Sequence, residues 1–377
     1  MKNVHIKEVL DRWLYMLISI EGADLHVKSN SPLHARHRSD IVKISEEAPT
    51  QETMEELVEF LTDEDYNVFL QKCESDGAYM LSQRYRFRFN IYLHVNGVSV
   101  AFRLIPSEIK SFEALHLPNA LNKIVDLRRG LVLITGTTGS GKTTTLSTII
   151  ENINTKYARH IITIEDPVEY VFKDKQSIIE QRELGAHTSS FATALRATMR
   201  EDPDIIVVGE VRDAATAEAI IHAVNTGHLV FSTMHTTDAK ETIERIIGFF
   251  PTEEQNRVRL ILASTLEATV SQRLIEGVDE QMIPAVEIMF KSPTVQELIR
   301  SHRDREIPDA IEKESLSYQS MSFNRALFEL TMKDKITEEQ AYQYATSPAD
   351  LKLMFTLSAE YTAKKLAEDE GIQLKNH

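Results

Sequence analysis

A single cysteine, Cys73, stands in the whole chain, so no intrachain disulfide can form and no cysteine-rich zinc site is available. A reduced compartment, the cytoplasm, is the expectation that follows. Long apolar runs are missing too. The densest stretches, residues 13–20 and 131–134, fall well short of the roughly 18 residues that crossing a bilayer takes. The first residues carry no basic flank ahead of a small-residue cleavage site, so membrane contact is expected only through a protein partner, without direct insertion. Basic charge is in deficit: 42 Lys and Arg stand against 57 Asp and Glu, a formal net charge of −15. Such a surface repels phosphodiester backbones and anionic lipid headgroups unless basic residues gather locally, which weighs against a nucleic-acid motor. Neither an internal repeat nor a low-complexity tract is present.

What remains is the composition of a globular protein, 42% apolar and 26% charged over 377 residues, enough for two or three buried cores. Residues 1–20 repeat Val9, Trp13, Met16, Leu17 and Ile20 at helical spacing. Their opposite face is not basic, so the helix should dock within its domain. Residues 24–27, 87–93 and 98–102 alternate as strands do, and Asn96-Gly97 between the last two signals a tight turn. A compact α/β domain is expected up to residue 108, then a linker over 109–118. Beyond it, short apolar runs at 131–135, 160–164, 205–208, 229–233 and 284–289 read as strands buried on both faces of a mostly parallel sheet. Helices are expected at 191–200 and 214–225. Val258, Leu262, Leu266, Val270 and Leu274 trace one long helical stripe, with Thr252 and Gln255 as a capping box. The α/β core thus spans 119–290, a helical subdomain 291–365, and a polar, frayed tail 366–377. Thr337 and Gln340 offer a second capping box.

The decisive element is Gly136-Thr137-Thr138-Gly139-Ser140-Gly141-Lys142-Thr143, a full P-loop pattern directly after an apolar strand. Glycines let successive N–H groups turn toward one anion, Lys142 adds charge for the β- and γ-phosphates, and Thr143 offers a hydroxyl to Mg²⁺. The following helix presents its partial positive end to the same phosphates. Thr144 completes the segment. An ATP site with Mg²⁺ is the reading. A metal partner should end a neighbouring strand, and residues 205–210 turn abruptly from apolar to acidic at Glu210. Glu165, Asp166 and Glu169 crowd the end of another strand, which is costly unless a cation or an activated water sits among them. One of them could orient or deprotonate the attacking water. His228 and His235 flank the strand at 229–233 and could sense the γ-phosphate.

Arg84, Arg86 and Arg88 alternate with aromatics on one face of a strand, and Arg103 lies just beyond the next. They could pair with the chain's own glutamates. Alternatively they could act as arginine fingers on the same or the next subunit, an effect worth on the order of 10³ to 10⁵ in rate. Arg196 and Arg200 are further candidates.

Residues 136–144, Thr163-Ile-Glu-Asp-Pro-Val-Glu169, Gly209-Glu-Val-Arg-Asp213 and Gly227-His-Leu-Val-Phe-Ser-Thr-Met-His235 follow one another in order. Together they resemble the Walker A, Asp, Walker B and His boxes of secretion-superfamily ATPases, over about residues 20–345. The short N-terminal region and the lack of a tetracysteine motif make the chain similar to type IV pilus retraction ATPases, the PilT/PilU family. Ser322-Phe-Asn-Arg-Ala-Leu-Phe-Glu-Leu330 and Asp350-Leu-Lys-Leu-Met354 look closer to the PilU side. The Ala-Ile-Arg-Ala-Gly box of the PilT side is absent, and Thr137 and Thr143 stand where proline and serine are usual.

The resemblance implies a PAS-like N-terminal domain joined to a RecA-like core with C-terminal helices. It implies a hexameric ATPase that powers or assists pilus retraction and twitching motility. Glu169 would be the base, Glu210 the Mg²⁺ and water organiser, and His228 and His235 sensors. The ring would sit at the cytoplasmic side of the inner membrane on a platform protein, with no nucleic acid bound. Open alternatives are an accessory ring beside a PilT paralogue, or a related secretion or assembly ATPase.

Overall fold

The computed structural model describes residues 2–358 apart from 38–39, 83–84 and 106–107. The expected tail over 366–377 and Arg84 lie outside the described residues. The chain divides into two compact units, Met1–Glu108 and Ile109–His377.

In the first unit six strands form one antiparallel sheet: β1 (Asp24–Lys28), β2 (Ser31–His37), β3 (Asp40–Lys43), β4 (Glu74–Met80), β5 (Arg86–His94) and β6 (Gly97–Ile105). Their order is β3-β2-β1-β6-β5-β4. Alternation decides the faces: Leu25, Val27, Phe87, Phe89, Val100 and Phe102 are buried in one core with the helix Lys2–Ser19. That helix buries Ile6, Leu10, Trp13, Leu14 and Leu17. The stripe is therefore centred beside the one read from the sequence, and Val9, Met16 and Ile20 are only partly buried. The β5–β6 turn also falls one residue earlier than expected, because His94 pairs with Gly97.

The second unit holds a seven-stranded sheet of β7 (Gly130–Thr135), β8 (His160–Glu165), β9 (Ile178–Glu183), β10 (Ile205–Val208), β11 (Leu229–Met234), β12 (Leu266–Glu276) and β13 (Met282–Phe290). The order is β13-β12-β7-β11-β10-β8-β9, and every pairing except β12–β13 is parallel. Period-two alternation splits each central strand between two cores. Leu131, Leu133, Ile206, Val208 and Val230 face helices that include Phe191–Thr198, Ala214–Asn225, Ala239–Gly248 and Thr252–Thr265. Val132, Ile134, Ile205, Val207 and Phe231 face the helix Lys142–Lys156. A smaller core joins Ile275, Ile283 and Ala285 to Leu327, Leu330 and Phe355 of the C-terminal helices.

Two expectations are corrected. The long helical stripe stops at Thr265, and Leu266, Val270 and Leu274 lie in β12. Residues four apart share a face in a regular strand as well as in a helix, so that spacing fits both periods. In β12 a bulge between Leu266 and Ala268 then turns Leu266 to one core and Val270 to the other. Thr252 is the first helical residue rather than a cap. Pro251 holds the cap position, and Gln255 Nε2 turns back to donate to Phe250 O at 3.0 Å. The Thr337–Gln340 capping box is present. Among the described residues no helix is long and apolar enough to cross a membrane.

Candidate active site

Residues 136–141 link β7 to the helix Lys142–Lys156. Gly136 (φ +143°) and Gly141 (φ +86°) are pressed against β12: a Cβ would stand 2.4 Å from Gln272 O at the first and 2.7 Å from Gln272 Nε2 at the second. Both the left-handed backbone and the close approach require glycine. Thr145 Oγ1 donates to Gln272 Oε1 at 2.8 Å and fixes that side chain. The loop curls so that its N–H groups and the helix dipole favour an anion on one side. Two details fit a phosphate. The space beside Gly139 is open, and Ser140 Oγ is buried without a hydrogen-bond partner among the described residues. Lys142 is itself buried, and its Nζ donates to the carbonyls of Gly136 (2.8 Å) and Thr137 (2.9 Å). Burial lowers its pKa, while the negative charges of Glu210 and Glu169 work in the opposite sense.

A cleft of about 220 Å³ opens over this loop, with Thr138, Lys142 and Thr143 on one wall and Glu165, Asp166 and Glu169 on another. Glu210, Arg212 and His235 close it, and Leu146, Phe172 and Phe191 supply apolar lining. Parallel register brings these residues together: Met234 pairs with Thr135, Ser232 with Val208, and Val208 with Ile164. The strands therefore end along one edge, where sheets of this kind hold ligands. Gly209 N donates to Ile164 O (2.8 Å) and Thr233 Oγ1 to Gly209 O (2.6 Å), which pins the segment carrying Glu210 between its neighbours.

The carboxylates are not equivalent. Glu165 is the withdrawn one. Burial pushes its pKa up, while hydrogen bonds from Thr163 Oγ1 (2.6 Å) and Gln181 Nε2 (2.9 Å) hold it back. Asp166 and Glu169 are exposed. Arg212 joins two strand ends, with Nε 2.8 Å from Glu210 Oε2 and Nη1 3.1 Å from Asp166 Oδ2; its pairing with Glu210 raises its own pKa. His235 Nε2 stands 3.2 Å from Glu210 Oε1. Thr144 Oγ1 lies 3.1 Å from the Tyr170 hydroxyl.

Two sets of sequence candidates lie elsewhere. His228 precedes β11, beside the start of β7, where Gly130 N donates to His228 O at 3.0 Å. Its Nδ1 is 3.1 Å from Ala223 O. A six-residue strand at about 3.3 Å per residue separates it from His235 by roughly 20 Å, so the two histidines do not share a site within the chain. Arg86, Arg88 and Arg103 belong to the first unit, where Arg88 and Arg103 are cross-strand neighbours. Arg103 lies within β6 rather than beyond it, and its partner is an aspartate: Nε and Nη2 reach Asp24 at 2.6 and 3.2 Å. Arg88 Nη2 is 4.0 Å from Asp76. Sequence reading overlooked the bridging role of Arg212, whose signal was its place next to Glu210. It also missed Gln181, which gave no signal because β9 is a polar edge strand.

Residues 2–338 match the family described as Type II/IV secretion system protein. The chain belongs to that family. Among its relatives, the type IV pilus retraction ATPase PilT of Pseudomonas aeruginosa is 37% identical over 87% of this chain and 95% of its own length. The type IV pilus ATPase PilU of the same species is 32% identical over 97% of this chain and 96% of its own. Identity is higher with the first and the matched span longer with the second. A crystal structure of the pilus retraction motor PilT with bound ADP superposes with a TM-score of 0.83 at 34% identity, covering 92% of this chain and 99% of that one. The resemblance read from the ordered motifs is thereby borne out, as is the α/β class of the fold.

Proposed function

We propose that this chain is a ring-forming ATPase that powers or assists type IV pilus retraction. One observation carries the reading: a glycine-built phosphate loop and carboxylates from two neighbouring strand ends converge on one cleft, in a chain that aligns along most of its length with PilT and PilU. Residues 136–144 would cradle the triphosphate of ATP, with Lys142 turning from the loop carbonyls to the β- and γ-phosphates. The donor set also suits Mg²⁺, held by Thr143 and Glu210, which when bound would neutralise phosphate charge. Glu169, exposed on the cleft wall, is the base. It takes a proton from the attacking water as the water's oxygen bonds to the γ-phosphorus and the bond to the ADP oxygen breaks. His235 orients Glu210, and Arg212 keeps the two acidic segments in register. Glu165 and Asp166 shape the field around that water.

Arg86, Arg88 and Arg103 are proposed to offer charge to a γ-phosphate of the same or a neighbouring subunit, so that movement of residues 1–108 follows hydrolysis. In this reading 1–108 form the PAS-like domain, 109–118 the linker, 119–290 the RecA-like core and 291–365 the C-terminal helices. Six copies would form the ring, in the cytoplasm, on an inner-membrane platform protein. The net charge of −15 leaves nucleic acid out of the scheme. A second reading, an accessory ring beside a PilT paralogue, is favoured by the absent Ala-Ile-Arg-Ala-Gly box and by the longer match with PilU.

Lys142→Ala and Glu169→Ala, measured for ATP turnover in vitro and for pilus retraction in cells, separate the two. A motor loses both. Retraction that survives in both variants would sink the motor reading and leave the accessory one.

A further inference from the structure

We propose that Glu287 is a positioning residue for this cleft: from β13 it fixes the amino end of the helix Ala239–Gly248, and through that end it holds His235 against Glu210. The inference rests on the reading of the cleft as an ATP-hydrolysing site. Glu287 is 7% exposed, and its Oε1 accepts the N–H of Ala239 at 2.9 Å. Ala239 opens its helix and is buried, so its N–H has neither an intrahelical acceptor nor water. The cap does not serve it, because the Asp238 side chain accepts from Glu241 N at 2.8 Å. Removing the Glu287 acceptor therefore strands a buried donor.

The bonds that follow run toward His235. Thr242 Oγ1 donates to Asp238 O at 2.7 Å and stands 2.7 Å from Thr236 Oγ1, while Thr237 N and Oγ1 both donate to Glu241 Oε2 at 2.8 Å. Residues 236–238 are thus fastened to the helix, the helix start is fastened to Glu287, and His235 is the next residue. The sheet register closes the loop from the other side. Glu287 pairs with Ser271, Ser271 with Thr135 and Thr135 with Met234, and Thr135 Oγ1 donates to Ser271 Oγ at 3.0 Å. One row of four strands joins the carboxylate to the residue before the phosphate loop and the residue before His235. The charges facing Glu287 are Asp238 and Arg273, the latter held by Tyr344 O (2.8 Å) and the Phe323 ring (3.8 Å). Burial drives the Glu287 pKa up to about 7, and a neutral carboxyl still accepts at Oε1. The function lies in the acceptor, not the charge.

The test is steady-state Mg²⁺-dependent ATP hydrolysis by the full chain with Glu287→Gln, Glu287→Asp, Glu287→Leu, His235→Ala and the double variant E287L/H235A. Glu287→Gln keeps the acceptor and should cost less than about threefold. Glu287→Leu should lower kcat by about tenfold, no more than His235→Ala does, with KM within about threefold, because the phosphate loop is untouched. In the His235→Ala background the same change should cost less than about twofold more. Glu287→Asp, which keeps the carboxyl group but is one methylene shorter and so withdraws the oxygen, covers the case in which Glu287→Leu fails to fold; it should lose more kcat than Glu287→Gln. Additive losses with His235→Ala, or Glu287→Asp matching Glu287→Gln, overturn the inference and leave the functional reading standing. A wild-type chain without Mg²⁺-dependent turnover overturns both.

Discussion

At the carboxyl ends of β7, β8, β10 and β11 the chain sets Lys142, Glu165, Glu210 and His235; at the amino ends of the same strands it sets Gly130, His160, Asp204 and His228. Both edges are polar and both carry histidine, yet their chemistry differs. At the amino edge each group is spent on local closure: Asp204 accepts from His160 N at 3.0 Å and pairs with Arg159 at 3.4 Å, and His228 turns to Ala223 O. At the carboxyl edge two carboxylates share Arg212, a third is pushed toward its neutral form, and a buried lysine faces their field. In a parallel sheet every following helix starts at the carboxyl edge, so helix dipoles and loop amides gather there and not at the other side. Strand direction, more than residue type, decides which polar residues can react.

The comparison breaks most sharply at Glu210. Glu210→Ala removes a carboxylate from the cleft and should lower kcat on the order of 10²- to 10⁴-fold, measured as phosphate release under saturating ATP. A loss under threefold would detach that edge from the chemistry. A smaller, paired effect sharpens the contrast within one strand. His235→Ala should cost on the order of 10-fold in kcat, and His228→Ala, roughly 20 Å away at the other end of β11, less than about threefold in the isolated chain. Equal losses would mean that the amino edge also serves a site.

The smallest effect is on stability. Glu287 ionises at about 7 in the folded chain against an ordinary value of 4.5, so the folded state holds a proton that the unfolded chain has already released. Its stabilising contribution is complete below about pH 4.5 and is lost as pH rises through about 7, a change of about 3 kcal/mol at roughly 1.4 kcal/mol per pH unit. Glu287→Gln has no such proton. Its Tm should rise relative to wild type by several degrees between pH 5 and pH 8, and a constant difference would contradict the burial argument.

The sequence is most legible where physics is local. The apolar strands β7, β10 and β11 are buried on both faces and read as unbroken runs, and the phosphate loop, Glu165 and Glu210 announce themselves by abrupt changes at strand ends. The edge strand β9 and the strands β2, β3 and β4 are half polar and carry no such run. Strand β12 was hidden because its apolar residues four apart imitate a helix. The exclusion of His228 was available in principle, since a residue preceding a parallel strand cannot sit where the loop following its neighbour does. Contacts such as Arg212 with Asp166, Gln181 with Glu165 and Glu287 with Ala239 join segments remote in sequence and leave no local mark.

The most direct measurement is a crystal structure of the chain with Mg²⁺ and a non-hydrolysable ATP analogue. The account predicts β- and γ-phosphates within hydrogen-bonding reach of Lys142 Nζ and the amides around Ser140, with Glu169 and Glu210 facing the γ-phosphate. A nucleotide bound elsewhere, or none bound at saturating concentration, would contradict it.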